Sequence, residues 1–466
     1  MAEPTQPDAG AVLEVEPLAQ ELGARFEDAG HQLFLVGGSV RDLVSGRHAP
    51  HTDLDFATDA QPHEVTRLLT GWAERKYLVG VRFGTVGALR AGRLLEITTF
   101  RQDAYAAEHR KPAVTLAKDI ETDLSRRDFT VNAMAIRLPS GAFVDPFGGV
   151  RDLGAKLLDT PLEPEVSFTD DPLRMLRAAR FVAQLGLSPA PRVVEAIVAM
   201  RERLSIVSAE RIADELGKLL VADRPAAGLE LLVSTGLSDA FLPELAALQL
   251  EQDPVHRHKD VLRHTYAVVE RCEPKLELRL AALLHDIGKP ATREITADGV
   301  QFHHHEVVGA RMAEARLREL RFSNAVIDDV VQLIAMHLRF HGYGEGWTDS
   351  AVRRYVRDAG PLLDPLNQLT RADCTTRNEQ RARRFAQLED ELEERIAQLA
   401  EQENLDAMRP PIDGSQVMKH LGLAPGPVVG EALAYLMEVR LERGPMAEDE
   451  AFALLDAWAT ERGIAD

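Results

Sequence analysis

Asp53 and Asp55 are the first residues whose type and spacing could do chemistry. On a β-strand, two residues separated by one position point to the same face, so both carboxylates could bind the same Mg²⁺ ions. Two such ions about 3.5–4 Å apart activate an attacking hydroxyl group and stabilise a leaving phosphate. In an acidic chain an Asp-x-Asp pair is more often a solvated turn, so its interpretation depends on the residues around it.

A glycine turn precedes this pair. The apolar run Leu33–Val36 ends in Gly37 and Gly38, and Asp53 follows Asp42 after eleven positions. Glycines at the start of a helix expose backbone N–H groups to which a phosphate can bind. The pattern predicts a strand, a glycine turn, a helix and a second strand at positions 52–56. The turn and the two carboxylates together indicate a phosphate-handling site.

A later segment, TDDPLRMLRAARF, could read a nucleobase. Pro172 suits the first position of a helix and Asp171 its cap, so Asp171 and Arg174 would face one direction. Cytosine and adenine present an amino donor beside a ring-nitrogen acceptor, whereas uracil and guanine present a carbonyl beside a ring N–H. A carboxylate only accepts and a guanidinium only donates, which makes the pair complementary to C and A. Each mismatch against U or G would cost about 1–3 kcal/mol.

Two alternatives stay open for this segment. Asp171 could be only a helix cap and Arg174 only a surface residue. Arg177 and Arg180 follow at three-residue intervals and could extend the site as a basic stripe for an RNA end.

Histidine becomes frequent between His256 and Asp373. His264, the adjacent His285 and Asp286, and Asp373 combine imidazole and carboxylate ligands, which suit Mg²⁺, Mn²⁺, Ni²⁺, Fe or Zn²⁺. We expect His285 and Asp286 inside an apolar helix, where unpaired polar groups are costly, so burial there implies a partner such as a metal. A single histidine more often has a structural role, but the set of four favours a metal site.

The composition limits the remaining possibilities. A chain of 466 residues suggests two to four domains. Its 54 basic and 74 acidic side chains give a net charge of −20, so a nucleic-acid site must be local. Only Cys272 and Cys374 occur, which excludes a disulfide framework and favours a reducing compartment. No long apolar run and no signal peptide are evident, so we expect a cytoplasmic protein without a membrane partner.

The elements that must position these residues fall into two classes. Strand-like segments at 86–89, 93–100 and 142–144 predict a mixed sheet with helices in the first 150 residues. From Asp171 onward the apolar spacing is mostly three and four, so the remaining two thirds should be helical. Positions 385–405 predict an amphipathic helix that packs through one face. The fold class is therefore α+β.

Three sequence blocks resemble a known family. They are Gly37-Gly38-x-Val40-Arg41-Asp42, then Asp53-x-Asp55, then the segment from Arg126 to Met134, RRDFTVNAM. Together they resemble the bacterial and eukaryotic tRNA nucleotidyltransferase and poly(A) polymerase family. The resemblance implies a polymerase-type palm in which Asp53 and Asp55 bind Mg²⁺ and Glu96 is the candidate third carboxylate.

The resemblance also implies a nucleotide-binding set. Arg126 and Arg127 would contact the phosphates and Asp128 the ribose hydroxyl. The family carries an acidic pair and an arginine for nucleotide selection, usually Glu-Asp-x-x-Arg, and this chain has Asp170 where glutamate is usual. The full predicted set is Gly37, Gly38, Arg41, Arg126, Arg127, Asp128, Asn132, Asp171, Arg174, Arg177 and Arg180.

The histidine-rich region resembles an HD-type phosphohydrolase domain. The metal ligands of such a domain would correspond to His264, His285, Asp286 and Asp373. His304, His305 and His337 fall where such domains often place further ligands or phosphate contacts, and Lys289 could contact phosphate. The resemblance implies phosphodiesterase or phosphatase activity on 2′,3′-cyclic or terminal phosphates, and it leaves the metal unspecified.

The sequence thus predicts a palm at 1–150, a helical neck and body at 151–255, an HD domain at 256–385 and a helical tail at 386–466 that could contact tRNA. The expected activity is template-independent addition of C, C and A to the tRNA 3′ end from CTP and ATP. Three related alternatives are a poly(A) polymerase, a CC-adding enzyme and an A-adding enzyme. A phosphohydrolase or nucleotide-sensing regulator is a fourth. The sequence does not indicate the oligomeric state.

Overall fold

The computed structural model describes residues 13–46, 53–104, 113–117, 119–250, 260–296, 299–374, 378–403 and 409–464. The chain forms two compact units, Met1–Ala246 and Ala247–Asp466. The first combines a mixed sheet with helices and the second is mostly helical, so the predicted α+β class is confirmed. In the described part of the chain, no helix has the length and apolar character needed to span a bilayer.

The first unit begins with the sheet and ends with helices. Its strands are β1 Leu33–Val36, β2 Leu54–Thr58, β3 Arg75–Tyr77, β4 Thr85–Arg90, β5 Arg93–Thr99, β6 Arg101–Ala104, β7 Ala113–Leu116, β8 Ala135–Leu138, β9 Phe143–Val144, β10 Leu157–Leu158 and β11 Ser188–Pro189. Its helices are α1 Pro17–Asp28, α2 Gly38–Val44, α3 Pro62–Leu68, α4 Ile120–Ser125, α5 Gly149–Gly154, α6 Pro164–Asp170, α7 Leu173–Leu185, α8 Pro191–Met200, α9 Ala209–Leu220, α10 Pro225–Ser234 and α11 Pro243–Ala246.

The main sheet has seven strands in the order β3-β4-β5-β2-β1-β8-β9, and β2 pairs with β5 in parallel. In β2, Leu54 and Phe56 alternate with Asp55 and enter the main apolar core, which leaves Asp55 on the opposite face. The predicted strand Leu33–Val36 is confirmed. The predicted strand at 52–56 is observed two residues later, as Leu54–Thr58, and its position 52 lies outside the described residues.

Helix α7 carries the segment predicted to read the base, and it packs against α9 and α10. It begins one residue later than predicted, with Pro172 as its N-cap, while Asp171 is the C-cap of α6. The N–H groups of Arg174 and Met175 bond to the carbonyls three residues earlier, so this turn is tighter than an α-helix. Asp171 still caps partially, because its Oδ1 accepts a hydrogen bond from the Leu173 N–H at 3.1 Å.

The second unit contains α12 Val261–Arg271, α13 Leu276–Leu284, the hairpin β12 Arg293–Thr296 and β13 Gly299–Phe302, α14 His305–Glu319, α15 Asn324–Met336, α16 Asp349–Ala359, α17 Leu363–Asp373, α18 Glu379–Glu403, α19 Gly414–Leu421, α20 Pro427–Arg443 and α21 Glu448–Glu461. The amphipathic helix predicted at 385–405 is confirmed as α18, which buries Leu392 and Leu399, although positions 404–405 lie outside the described residues. The hairpin was not predicted.

Candidate functional site

Three carboxylates converge on one face of the main sheet. Asp55 on β2 stands directly opposite Glu96 on β5 in the parallel register, so their side chains share a face. Asp53 lies two positions before Asp55, and its charge acts on the Asp55 carboxylate. The structure therefore brings together the two predicted metal ligands and the candidate third carboxylate.

The electrostatics of this group favour a bound cation. Asp55 keeps contact with solvent, but the protein atoms around its carboxylate partly desolvate it. This burial raises the pKa of Asp55, the neighbouring charges of Glu96 and Asp53 raise it further, and Arg127 opposes them. A divalent cation relieves such repulsion, and carboxylate oxygens are the ligands that Mg²⁺ prefers.

Gly37 makes room between this carboxylate and a guanidinium group. Its φ of +72° lies in the left-handed region, which favours glycine. A Cβ atom at Gly37 would lie 3.2 Å from Arg127 Nη1 and 3.6 Å from Asp55 Oδ2. The glycine turn, Asp55 and Arg127 therefore border one space at the start of α2.

Asp123 holds the predicted phosphate-binding arginines, and the sequence analysis missed it. It is fully buried and forms ion pairs with Arg126 at 2.6 Å and Arg127 at 3.2 Å. Burial opposes its ionisation, but the two guanidinium groups outweigh burial and lower the pKa of Asp123. Asp123 lies three residues before Arg126 and four before Arg127, and this helical spacing could have identified it from the sequence.

Asp128 is the centre of a second network. It accepts hydrogen bonds from Arg177 Nε at 2.9 Å and Asn132 Nδ2 at 3.0 Å, and Arg41 Nη1 donates to Asn132 Oδ1 at 2.8 Å. Burial opposes ionisation of Asp128, but Arg177 and Asn132 hold its pKa well below the ordinary value. The network joins α2, α7 and the turn after α4, so four predicted nucleotide-binding residues form one cluster.

The two predicted base-reading groups have partners of their own. Arg174 is only 9% exposed and donates from Nη1 to Ser167 Oγ at 2.8 Å and from Nη2 to the Arg126 carbonyl at 2.5 Å, so the alternative of a surface arginine is wrong. Asp171 Oδ2 pairs with Arg211 of α9 at 2.7 Å. These contacts do not use the full capacity of either group, because a carboxylate has about four acceptor positions and a guanidinium has five N–H donors.

Glu215 of α9 engages the remaining arginines of α7. This buried carboxylate lies 2.6 Å from Arg180 Nε and 3.6 Å from Arg177 Nη1. Arg180 is largely buried, and its guanidinium lies over the Phe181 ring. Arg177 and Arg180 therefore do not form an exposed basic stripe. Of the two, only Arg177 is partly exposed.

A second candidate site lies in the second unit. His264 Nε2 is 2.9 Å from Asp373 Oδ1 and 3.3 Å from His285 Nε2, and His285 Nε2 is 3.2 Å from Asp286 Oδ2. The four predicted ligands therefore converge. Their positions correct one expectation, because His285 is the C-cap of α13 and Asp286 follows it, so neither lies inside a helix. Gly288 and Pro290 follow shortly after, and both residue types disfavour continuation of a helix.

Asp286 also faces two further histidines. Its Oδ1 lies 3.4 Å from His305 Nε2, and ligand atoms of Asp286, His305 and His337 lie within 4.8 Å of one another. His304 is different, because it caps α14 with a positive φ and its side chain is 84% exposed. Of the three additional histidines, His305 and His337 join the set and His304 does not.

The histidines present the correct nitrogen for a metal. Nδ1 of His285, His305 and His337 bonds to the backbone carbonyl three residues earlier at 2.7–2.9 Å. This contact leaves each Nε2 directed into the cluster, as in metal sites. Nε2 of His305 and of His337 is buried without a hydrogen-bond partner, so these residues fit a divalent cation.

In the absence of a metal the carboxylates favour a proton on His285, which a bound metal ion would have to displace. Burial would lower the pKa of His285, but Asp286 and Asp373 raise it to about 10. Burial and the charge of His285 lower the pKa of His337 to about 3, which keeps that imidazole neutral. Lys289 Nζ lies 2.7 Å from Asp286 Oδ2 and adds a cation that could contact a phosphate beside the metal ligands.

Gly288 is a second residue that the sequence analysis did not single out. A Cβ atom there would collide with the carbonyl oxygen of His305 and lie 2.7 Å from Gly309 N. The missing side chain therefore lets α14 approach the His285–Asp286 turn closely. The position of Gly288, two residues after Asp286, could have identified it from the sequence.

Comparisons with known proteins agree with both sites. Residues 33–159 match the model of the poly A polymerase head domain, 186–249 the probable RNA- and SrmB-binding site of polymerase A, and 261–401 the HD domain. The crystal structure of the Bacillus stearothermophilus CCA-adding enzyme in complex with CTP superposes with a TM-score of 0.71 and 27% identity, covering 96% of this chain and 99% of that one. The fold and the carboxylate site define a nucleotidyltransferase.

Curated relatives identify the family. The CCA-adding enzyme of Geobacillus stearothermophilus is 30% identical over 450 residues, which cover 96% of this chain and 97% of that protein. The A-adding tRNA nucleotidyltransferase of Deinococcus radiodurans is 34% identical over 446 residues, with 92% and 95% covered. The match to the CCA-adding enzyme of Geobacillus thermodenitrificans, 42% identical over 233 residues, spans only 56% of that protein. The chain belongs to the family of these tRNA nucleotidyltransferases.

Proposed function

We propose that this chain adds C, C and A to the 3′ end of tRNA from CTP and ATP without a nucleic-acid template. The observation that carries the proposal is the arrangement of Asp53, Asp55 and Glu96 on one sheet face beside the space bordered by Gly37 and Arg127. The names of the relatives, which include CCA-adding enzymes, support the same activity.

Within this proposal each side chain has a defined task. Asp53, Asp55 and Glu96 would hold Mg²⁺, which when bound supplies activation of the attacking hydroxyl and charge neutralisation on the phosphates. Arg126 and Arg127 would contact the triphosphate, and Asp123 would fix the direction of both guanidinium groups. Residues held by such partners before the substrate binds lose little conformational freedom on binding, which favours catalysis.

Asp171 and Arg174 would select the base. Asp171 contacts Arg211 and the Leu173 N–H, and Arg174 contacts Ser167 and the Arg126 carbonyl. These contacts still leave acceptor and donor positions for the amino group and ring nitrogen of C or A. Asp171→Asn adds an N–H donor that suits the carbonyl of uracil. We expect the preference for CTP over UTP to fall about tenfold. Unchanged preference, measured as the ratio of kcat/KM values, would remove this role.

The catalytic assignment is tested with Asp53→Ala. This variant should lose nucleotide incorporation while binding of tRNA in a filter or anisotropy assay persists, because the aspartate would act on the metal and not on the RNA. Asp59 offers a matched control, since it is an aspartate of the same unit that instead bonds to Gln32 N at 2.9 Å. Asp59→Asn should retain incorporation, and incorporation by Asp53→Ala would refute the assignment.

The number of nucleotides added is a separate question, because one relative is named an A-adding enzyme. Transcripts that lack the whole 3′ CCA, that end in its first C and that end in CC should be offered with CTP and ATP separately and together. Sequencing of the products distinguishes complete CCA addition from CC addition, A addition and poly(A) synthesis. We expect complete CCA from the shortest transcript.

A second activity is proposed for the second unit. Six convergent metal-ligand residues and Lys289 support a phosphohydrolase that acts on 2′,3′-cyclic or terminal phosphates. After chelation, the enzyme should be assayed with Mg²⁺, Mn²⁺, Ni²⁺ and Zn²⁺ on a 2′,3′-cyclic nucleotide and on a terminal phosphate. We expect activity that His264→Ala removes while nucleotide addition by the first unit persists.

The remaining predictions complete the proposal. We assign the palm to 1–150, the neck and body to 151–255, the HD domain to 256–385 and a tRNA-contacting tail to 386–466. Cys272 and Cys374 are not joined in a disulfide, which supports a cytoplasmic location.

A further inference from the structure

Tyr77 is aligned across neighbouring strands with two of the candidate catalytic carboxylates. Pairing across four neighbouring strands aligns Tyr77 on β3 with Gly87 on β4, Gly87 with Glu96 on β5, and Glu96 with Asp55 on β2. Residues aligned in this way point to the same sheet face. Tyr77 is therefore on the face that carries the catalytic group, two strands beyond Glu96.

Gly87 keeps the space between them open. A Cβ atom on Gly87 would lie 3.1 Å from Tyr77 Cβ and 3.5 Å from its ring atom Cδ2, so the ring leans over the glycine. Because glycine has no side chain, the next side chain in the row is Glu96. The ring and the third carboxylate thus border one shallow strip of the sheet.

This strip is unusual for a surface strand. Tyr77 is 42% exposed, and the next residues, Leu78 and Val79, are 53% and 91% exposed. Arg75 lies two positions before Tyr77, on the same face, and is also exposed. An exposed apolar patch with a cation beside a catalytic group is typical of a binding surface.

The position of the nucleotide site determines which reactant fits here. Gly37 and Arg127 border Asp55 from the β1 side of the sheet, which is the side proposed for the triphosphate. The strip formed by Gly87 and Tyr77 lies on the other side of Glu96. The attacking RNA strand must approach the carboxylates from a side that the triphosphate leaves open.

We propose that the Tyr77 ring stacks against the 3′-terminal base of the RNA to be extended, and that Arg75 contacts its phosphate backbone. This inference rests on the proposed function. An enzyme that adds C, C and A must accept a different terminal base at each step. Stacking suits this requirement because every base has a π-face, whereas hydrogen-bond readout would reject some of them.

The test compares Tyr77→Ala, Tyr77→Leu and Tyr77→Phe. Loss of one stacking contact predicts a decrease of about 5- to 150-fold in kcat/KM for tRNA lacking its 3′ end, for both the Ala and the Leu variants. Tyr77→Phe should remain within about threefold of the wild type because it retains the ring. The KM for CTP should be unchanged in all three. Leu162→Ala, at a similarly exposed position (41%) between β10 and α6 and outside the segment matched to the RNA-binding model, is the control and should behave as wild type.

A direct readout uses tRNA with 2-aminopurine as its 3′-terminal base. Its fluorescence should be quenched on binding to the wild type and to Tyr77→Phe, and quenching should be lost with Tyr77→Leu. Equal quenching by all variants, or a change confined to the KM for CTP, would overturn the inference. A wild-type dimer that Tyr77→Ala dissociates would also overturn it, because the patch would then be a protein interface. A wild type without any nucleotide addition would instead refute the proposed function.

Discussion

Replacing Asp55 with asparagine should abolish nucleotide addition and at the same time stabilise the metal-free protein. Burial and the charges of Glu96 and Asp53 raise the pKa of Asp55. A carboxyl group with a raised folded-state pKa contributes stability at low pH, and this contribution is lost as the pH rises through that pKa. At neutral pH the ionised Asp55 therefore decreases the free energy of unfolding.

The size of the effect depends on the burial of Asp55 and on the spacing of the charges around it. Neighbouring strands lie about 4.8 Å apart, and two like charges at roughly 5 Å repel by about 1–3 kcal/mol for effective dielectric constants of about 80 to 20. Desolvation of the Asp55 carboxylate is the largest unfavourable contribution, and attraction to Arg127 opposes both it and the repulsion, so we expect a net gain of about 1 kcal/mol. For a unit of this size that gain corresponds to an increase of about 2–4 °C in Tm.

The assay is thermal unfolding in EDTA and in Mg²⁺, with each variant made in an Asp286→Ala background, which removes the ligand shared by both metal-binding groups of the second unit. Mg²⁺ should stabilise the parent protein by mass action and should have much less effect on Asp55→Asn. Asp59→Asn is the control, because Asp59 bonds to Gln32 N and lies 3.3 Å from His31 Nδ1, so its loss should destabilise the protein in both buffers. A decrease in Tm of Asp55→Asn in EDTA would refute the reasoning, since it would mean that the carboxylate has a structural role.

Three further predictions concern other buried charges. Glu215→Gln should decrease the free energy of unfolding by about 3–5 kcal/mol, because it leaves the buried Arg180 without its counter-ion, and an unchanged urea midpoint would contradict this. Burial raises the pKa of Glu389 from 4.5 to about 7, so its stabilising contribution is lost as the pH rises through 7. Glu389→Gln should therefore be more stable than wild type by up to about 3 kcal/mol near pH 8, and the difference should vanish below about pH 4.5; a difference independent of pH would exclude this explanation. Metal analysis after dialysis should show that Asp286→Ala loses all metal from the second unit, whereas His337→Ala loses only part of it; equal losses would show that the two ligand groups are not separate.

The sequence was sufficient for elements with a strong local pattern. Leu33–Val36 was predicted as a strand because a buried apolar run ends in a glycine turn. Strand β3 was missed because Arg75, Lys76 and Tyr77 are all exposed, so no alternation between core and solvent marks an edge strand. The hairpin β12–β13 was missed in a region dominated by helical spacing, where each strand is only four residues long.

The two candidate sites show the same difference between features with a local sequence pattern and features that depend on the fold. The ligand types in both sites could be predicted because their chemistry is encoded in short motifs. Their partners could not, because contacts such as Asp171 with Arg211 join residues 40 positions apart, and only the packing of α7 against α9 brings them together. The same limit explains why Arg180 was predicted to face RNA, whereas the fold places it against Glu215.

The close backbone contact at Gly288 determines the metal selectivity of the second unit. His305 reaches Asp286 because α14 rests against the turn, so main-chain packing fixes the donor spacing, and side-chain flexibility contributes little. The positions of these donor atoms are therefore set before a metal ion binds. Ions must then compete by radius and preferred coordination number, and exchanging one for another should alter reactivity while the polypeptide around it keeps its shape.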